Sequence, residues 1–378
     1  MKFDVLVLGV GGMGAAALAH LAAQGAQAIG IEQDEVPSRR GSSVGHTRII
    51  RKAYYEDERY VPLLHRSYEL WRELEAAMGE TLYVRTGCLN LGPEAHADIA
   101  GVMASVRAHD LPHERLDAAA VRARFPAFDP SPEHVGVFEE DAGYLRVEAC
   151  TEAHARLAVK RGAELRTRTK IEHVTVNAGE VRATLAGGEH VEARTLVLGA
   201  GAWLPQLGLA AALPPLLVTR QMQLWFRPQH EDLARAPKMP AFIHFTDRGN
   251  YYGLPVANDG AAGVKVCRHH GGEPASPESL DRTLRPEDEA DVRGYIDRHL
   301  RNAGGPLVHA QACMYTTTPD AHFVVGLHPT HSNVVVLAGF SGHGYKMAPV
   351  MGEIAAQLAT SGKTAHDISL FDPRRAAR

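Results

Sequence analysis

No stretch of this chain is apolar for long enough to cross a bilayer; the longest hydrophobic runs fall well short of the ~20 residues that a spanning helix needs. No leader-like segment opens it either, so no membrane partner is expected and the expected compartment is the cytoplasm. Cysteine is sparse. Cys88, Cys150, Cys267 and Cys313 are widely spaced, form no C-x-x-C pair, and fit reduced thiols rather than a disulfide framework. Neither charge predominates: 40 basic against 44 acidic side chains leave a net charge of -4, which argues against a nucleic-acid partner. The 21 histidines include no H-E-x-x-H or comparable spacing, and His269-His270 are adjacent rather than on one helix face, so no metal site is expected. What is present is 45% hydrophobic residues in 378, enough to bury a large core and, at ~150 residues per domain, to build two domains.

The stretch from Lys2 to Glu32 organises the rest. Phe3–Leu8 reads as a buried parallel strand, and Gly9-Val10-Gly11-Gly12-Met13-Gly14 follows as a G-x-G-x-x-G turn. A small-residue helix is expected from about Ala15 to Gln24, ended by Gly25, and a second strand, Ala28–Ile31, delivers Glu32. Gly9 makes the tight turn, Gly11 lets backbone approach a pyrophosphate, and Gly14 lets helix and strand pack closely. The helix N-terminus supplies N–H groups and partial positive charge. Glu32 can accept bonds from both ribose hydroxyls, and its charge disfavours a 2′-phosphate. Adenine-dinucleotide binding follows; NAD and FAD are not separated by this stretch.

Residues 33–56 read as a loop whose small hydroxyl side chains suit pyrophosphate or ring contacts and whose arginines suit an anion. Local composition alone fits a solvated basic loop equally well. An amphipathic helix is expected within Asp57–Met78, ended by Gly79, then a strand over Tyr83–Leu91. Helical patterns follow near His96–His109 and Ala118–Arg124, a strand at Val135–Phe138, and a helix over Val147–Arg161. Turn signals at Asn177-Ala178-Gly179 and Gly187-Gly188 separate alternating segments. A buried strand then runs into Gly199-Ala200-Gly201, where backbone can again lie against a cofactor. Residues 215–316 hold short strands, including Val264-Lys265-Val266 with the lysine opposite the valines, and a helix between about Glu287 and Leu300. The second strong signal is C-terminal: a buried strand Asn333–Ala338, the loop Gly339-Phe340-Ser341-Gly342-His343-Gly344-Tyr345-Lys346, and a helix Val350–Thr360 ended by Gly362. Its glycines permit backbone contact with a flat ring, and the helix turns its positive end on the loop.

Three glycine-rich strand ends suit a ligand longer than NAD. Four motifs carry a resemblance: Gly45-His46-Thr47-Arg48-Ile49-Ile50-Arg51, Tyr251-Tyr252-Gly253-Leu254-Pro255, Cys313-Met314-Tyr315-Thr316 and Ser341-Gly342-His343-Gly344-Tyr345-Lys346. Through them nearly the whole chain resembles the monomeric sarcosine oxidase and N-methyltryptophan oxidase family of flavoprotein amine oxidases. The resemblance implies an α/β fold: a discontinuous Rossmann-like FAD-binding domain (1–84, 146–218, 317–378) and a mixed-sheet substrate domain (85–145, 219–316). It implies oxidative demethylation of a secondary amino acid, sarcosine first, with O2 as acceptor and H2O2 as product. A bulkier N-methyl amino acid, or a cyclic imino acid such as proline or pipecolate, is the alternative. A monomer is expected.

By the same resemblance Arg51 and Lys346 clamp the substrate carboxylate, Lys265 activates oxygen, and Arg48 lies against the flavin. Tyr252, Tyr315 and His269 shape the pocket, and Cys313 bonds covalently to the flavin 8α-methyl group. FAD would be lined by Gly9, Gly11, Gly12, Met13 and Gly14, then by Glu32 and Gln33, then by Ser42, Ser43 and Thr47. Ala200, Gly201 and Trp203, Met314, and the loop residues Gly339, Gly342, His343, Gly344 and Lys346 complete that expectation. Without the resemblance Lys265 reads as an exposed strand lysine, Cys313 as a small buried hydrophobe and His269 as an ordinary core or surface histidine. Two departures stand out. The family often reads Ser-His-His-Gly-Asp-Thr-Arg where this chain has Ser42-Ser43-Val44-Gly45-His46-Thr47-Arg48, and the segment between Tyr252 and Lys265 is two residues longer than in the sarcosine enzymes. An NAD-linked dehydrogenase and a catalytically silent flavin-binding subunit are the rival readings; the first leaves Cys313 without a role.

Overall fold

The computed structural model describes residues 2–257, 260, 262–300 and 304–375. Part of the lengthened segment between Tyr252 and Lys265, residues 258, 259 and 261, lies outside them.

Strand Lys2–Leu8 is central to an eight-stranded sheet, paired in parallel with Ala28–Ile31 on one side and His190–Leu198 on the other. Beyond these lie Glu164–Arg166 at one edge and, at the other, the hairpin strands Ile171–Asn177 and Glu180–Leu185. Val334–Ala338 runs parallel to the end of His190–Leu198 and pairs with Val324–Leu327. Val5, Leu6 and Val7 are all buried because helices cover one face and further structure the other, as a parallel sheet requires.

The first helix runs Gly12–Ala23, beginning inside the glycine motif rather than at Ala15. Gly11 is the extended N-cap, so the glycines fall in the first helical turn. A Cβ on Gly14 would sit 1.9 Å from the Gly9 carbonyl oxygen, which is why helix and strand can close there. This helix packs on Val147–Lys160 and on the C-terminal helix Ala348–Ser361.

The second eight-stranded sheet is mixed, in the order Leu307–Thr317, Leu217–Phe226, Val264–His269, Gly249–Leu254, Ala241–Thr246, Cys88–Pro93, His134–Glu139, Glu114–Asp117. Its pairings are antiparallel except that between Ala241–Thr246 and Cys88–Pro93. The helix Pro286–His299 packs beside it through Val292, Tyr295 and Ile296.

Two local expectations are corrected. The segment 33–56 is not all loop: Thr47–Ile50 is a strand in a three-stranded sheet with Gly143–Arg146 and Tyr83–Arg85. The strand expected over Tyr83–Leu91 is two strands, because Gly87 at φ 72° turns the chain between Tyr83–Arg85 and Cys88–Pro93. Among the described residues no helix is long and apolar enough to cross a membrane, the four cysteines are free and buried, and no His/Cys/Asp/Glu group could hold a metal ion.

Candidate active site

A cavity of about 480 Å³ opens where the parallel strands of the first sheet end. The turn after the first strand gives it Gly9, Gly11, Gly12 and Met13. The second strand gives Glu32 and Gln33, the following loop Ser42 and Ser43, and the turn after His190–Leu198 gives Ala200, Gly201 and Trp203. The far end is closed by Arg48, Met314, Tyr315 and the loop glycines Gly339, Gly342 and Gly344.

The chemistry of this wall fits an adenine dinucleotide with a ring system at the far end. Gly9 holds φ 86° and a Cβ there would meet the Gly199 oxygen at 2.7 Å, while a Cβ on Gly11 would meet nothing and only fill the cradle. Glu32 accepts N–H bonds from Val10 (2.8 Å) and Asp34 (3.1 Å), leaving one lone pair on each oxygen for ribose hydroxyls. Burial raises its pKa while those N–H groups oppose the rise. Thr316 Oγ1, buried in the same wall, has no hydrogen-bond partner among the described residues.

A second cavity of about 70 Å³ shares Arg48, Tyr315, Gly342 and Tyr345 with the first. Cys313, Tyr252, His269, Arg51, His343 and Lys346 line it. Sheet register explains why side chains so far apart in sequence meet. Trp225 stands opposite both His309 and Lys265, and Lys265 opposite Leu254. Residues two apart share a face, so Cys313, Tyr315, Lys265, His269, Tyr252 and Ile243 all project from one side of the second sheet.

Arg51 is buried and ion-pairs with Glu56 at 2.9 Å. Its guanidinium lies over the rings of Tyr54 (4.4 Å) and Tyr55 (4.8 Å), and its Nε has no acceptor among the described residues. Burial pushes the Glu56 carboxyl up, but Arg51, His343 and Lys346 outweigh it and hold it below its usual range. Lys346 Nζ donates to the His343 carbonyl, and its own carbonyl accepts from Ser67 Oγ (2.7 Å) and Trp71 Nε1 (2.9 Å), so the backbone at this lysine is pinned. Burial first and Arg51 second lower the Lys346 pKa to about 7.

Lys265 is buried, not exposed, and lines neither cavity. Its ammonium donates to the carbonyls of Gly45 (2.9 Å) and Thr47 (3.1 Å) and lies 5.0 Å from the Trp225 ring centre. Burial and then Arg48 lower its pKa to about 7. His269 Nδ1 is 3.2 Å from the Tyr315 hydroxyl, and burial keeps that imidazole well below its ordinary pKa, so it is neutral. Burial raises the Cys313 thiol while Arg48 and Lys265 oppose the rise.

Of the residues expected along the cofactor, five lie off the large cavity. Gly14 serves helix–strand contact, and Thr47 offers its carbonyl to Lys265. Cys313, His343 and Lys346 line the small cavity instead. His343 spends both ring nitrogens, on Tyr54 Oη (2.6 Å) and the Ala321 carbonyl (3.0 Å). Sequence reasoning missed Glu56 and Gln223. The only hint of Glu56 was an acid five residues after Arg51; Gln223 lies 175 positions from Arg48, to which it bonds, and carried no local hint.

Residues 4–358 match the family model of FAD dependent oxidoreductases. The chain is 41% identical to a monomeric sarcosine oxidase of Streptomyces avermitilis, covering 99% of this chain and 98% of that one. It is 34% identical to an N-methyl-L-tryptophan oxidase of Salmonella dublin, covering 98% of each. Among solved structures NikD, an unusual amino acid oxidase, superposes with a TM-score of 0.86 at 23% identity, covering 100% of this chain and 99% of that one. The L-proline dehydrogenase of P. horikoshii superposes at 0.85 with 24% identity, covering 99% and 97%; these two likenesses speak to the fold. The chain belongs to the FAD dependent oxidoreductase family and, within it, to the group of monomeric sarcosine oxidases and N-methyltryptophan oxidases.

Proposed function

We propose that this protein is a monomeric cytoplasmic oxidase of small N-methyl amino acids, with sarcosine as first substrate and FAD held covalently by Cys313. The observation that carries this reading is the pairing of two buried cations, Arg51 and Lys346, on a cavity of about 70 Å³ that shares a wall with the dinucleotide cavity. FAD in the larger cavity would accept a hydride equivalent from the N-methyl carbon and pass the electrons to O2, and the imine would hydrolyse to formaldehyde and a primary amino acid.

The chain's own groups do the rest. Arg51, whose Nε has no acceptor among the described residues, and Lys346 bind the carboxylate through charge-assisted hydrogen bonds. Neutral His269, with Tyr252 and Tyr315, borders the amine without a competing positive charge. Lys265 supplies positive charge to dioxygen as it is reduced, and Arg48 lies along the ring. The small volume favours sarcosine over a substrate carrying an indole. The domain division given by the resemblance (1–84, 146–218 and 317–378 against 85–145 and 219–316) belongs to this reading.

A peroxide-coupled screen of sarcosine, bulkier N-methyl amino acids, proline and pipecolate tests it. Sarcosine should give the highest kcat/KM. A preference for N-methyltryptophan or a cyclic imino acid would move the assignment to that substrate. Bound flavin with no turnover on any secondary amine would make the chain a silent flavin-binding subunit.

A further inference from the structure

Gln223 is a buried amide in the middle of strand Leu217–Phe226, on the sheet face that carries Cys313. It stands opposite Gln311, which makes Cys313 its diagonal neighbour on the next strand. Its Oε1 accepts from Arg48 Nη1 at 3.2 Å and its Nε2 donates to the Val44 carbonyl at 3.2 Å. The Gly45 backbone lies directly on it: at φ 96°, a Cβ there would come 2.3 Å from Oε1. Gln223 also opposes the burial that raises the Cys313 thiol, as a polar neighbour on the same sheet face. One side chain therefore ties the loop at Val44 to the guanidinium of Arg48, diagonally beside Cys313. Val44, Cys313 and Tyr315 pack as a small apolar cluster around that junction.

We propose that Gln223 is a positioning residue for flavin attachment, holding the Cys313 sulfur in place with one amide N–H while its oxygen fixes Arg48 beside it. The inference rests on the reading that Cys313 is the attachment point. In that step the sulfur bonds to the 8α-methyl carbon. One methyl C–H bond breaks, its proton and the thiol proton leave, and the electron pair passes through the ring to O2. Net, thiol, methyl group and O2 give thioether and H2O2. The nucleophile is the thiolate, and burial among Val44 and Tyr315 disfavours it. The amide N–H assigned to the sulfur by this proposal, with Arg48 held close by the same amide, would offset that cost.

Protein prepared without flavin and then mixed with FAD provides the test. The readout is the rate at which flavin becomes resistant to acid precipitation, followed across pH. C313S should bind FAD and release all of it in acid. If C313S retained acid-stable flavin, the attachment reading itself would fall, whatever Gln223 does. Q223M keeps the side chain's length without an N–H, and Q223E keeps its length with a negative charge. Both should bind FAD reversibly and attach it about tenfold or more slowly at neutral pH, the loss expected for one hydrogen bond to a charged group. Raising the pH by about one to two units should restore the rate in Q223M, with Q223E needing more alkaline conditions still. A wild-type rate and pH profile in Q223M, or loss of FAD binding in both variants, would overturn the proposal.

Discussion

Two lysines with the same lowered pKa face different surroundings, and that difference separates the roles proposed for them. Lys346 lines the small cavity with Arg51, whereas Lys265 is tied to two carbonyls behind it. Lys346, at about 7, is charged below that pH and loses its proton above it. Affinity for a simple carboxylate such as propionate, read from the spectrum of the bound flavin, should therefore be highest below pH 7 and fall as pH rises through it. In Lys346→Met the affinity should be lower and flat across the same range. Arg51 keeps its charge throughout, so Arg51→Ala should raise KM for amino acids by about tenfold or more at any pH; an unchanged KM would remove it from the site. Lys265→Met should instead leave anaerobic reduction by substrate nearly intact and slow reoxidation by O2; equal losses in the two half-reactions would count against its assigned role.

Glycines inside helices show how packing overrides propensity. A Cβ on Gly352, in Ala348–Ser361, would stand 2.5 Å from the Ala16 carbonyl carbon and 2.7 Å from the Ala17 nitrogen, backbone atoms that cannot swing aside. On Gly294, in Pro286–His299, it would meet only the Arg298 guanidinium at 3.6 Å. Gly294→Ala should stabilise by up to ~1 kcal/mol through helix propensity. Gly352→Ala should destabilise by about 1–3 kcal/mol despite the same gain, because the two helices must move apart. Urea unfolding of the two variants compares them directly. The same distinction decides what the sequence could tell. Strand Lys2–Leu8, helix Val61–Met78 and helix Ala348–Ser361 were legible because apolar period and glycine stops are local. Thr47–Ile50 was not, since its polar pattern makes sense only against Gly143–Arg146, nearly a hundred residues on. The break at Gly87 was hidden for the same reason: what demands glycine there is the ring of Phe138 at 2.4 Å.

At the scale of the molecule, the first sheet contributes strand ends and the second a face, and the two cavities share a wall made from both. The glycine motifs announced the first contribution. The second was legible only through the family resemblance, because its residues come from separate strands and meet through register; nothing local ties Gln223 to Arg48. Filling the large cavity should therefore bind the two sheets together, and the thermal stability of the whole chain should report it. A ligand that binds only the folded chain at one hundred times its Kd contributes about 2.7 kcal/mol. For a chain of 378 residues, with unfolding entropy near 2.1 cal/mol/K per residue, that is a rise of about 3 °C in Tm. On the proposed attachment at Cys313, Cys313→Ser holds its flavin reversibly, and its Tm should climb with added FAD and show no response to NAD. On the same proposal the wild-type protein carries its flavin through unfolding, so free FAD should leave its Tm unchanged. A Cys313→Ser protein indifferent to FAD would break the link between the cavity and the stability of both sheets, and a wild-type protein that still responded would break the link to Cys313.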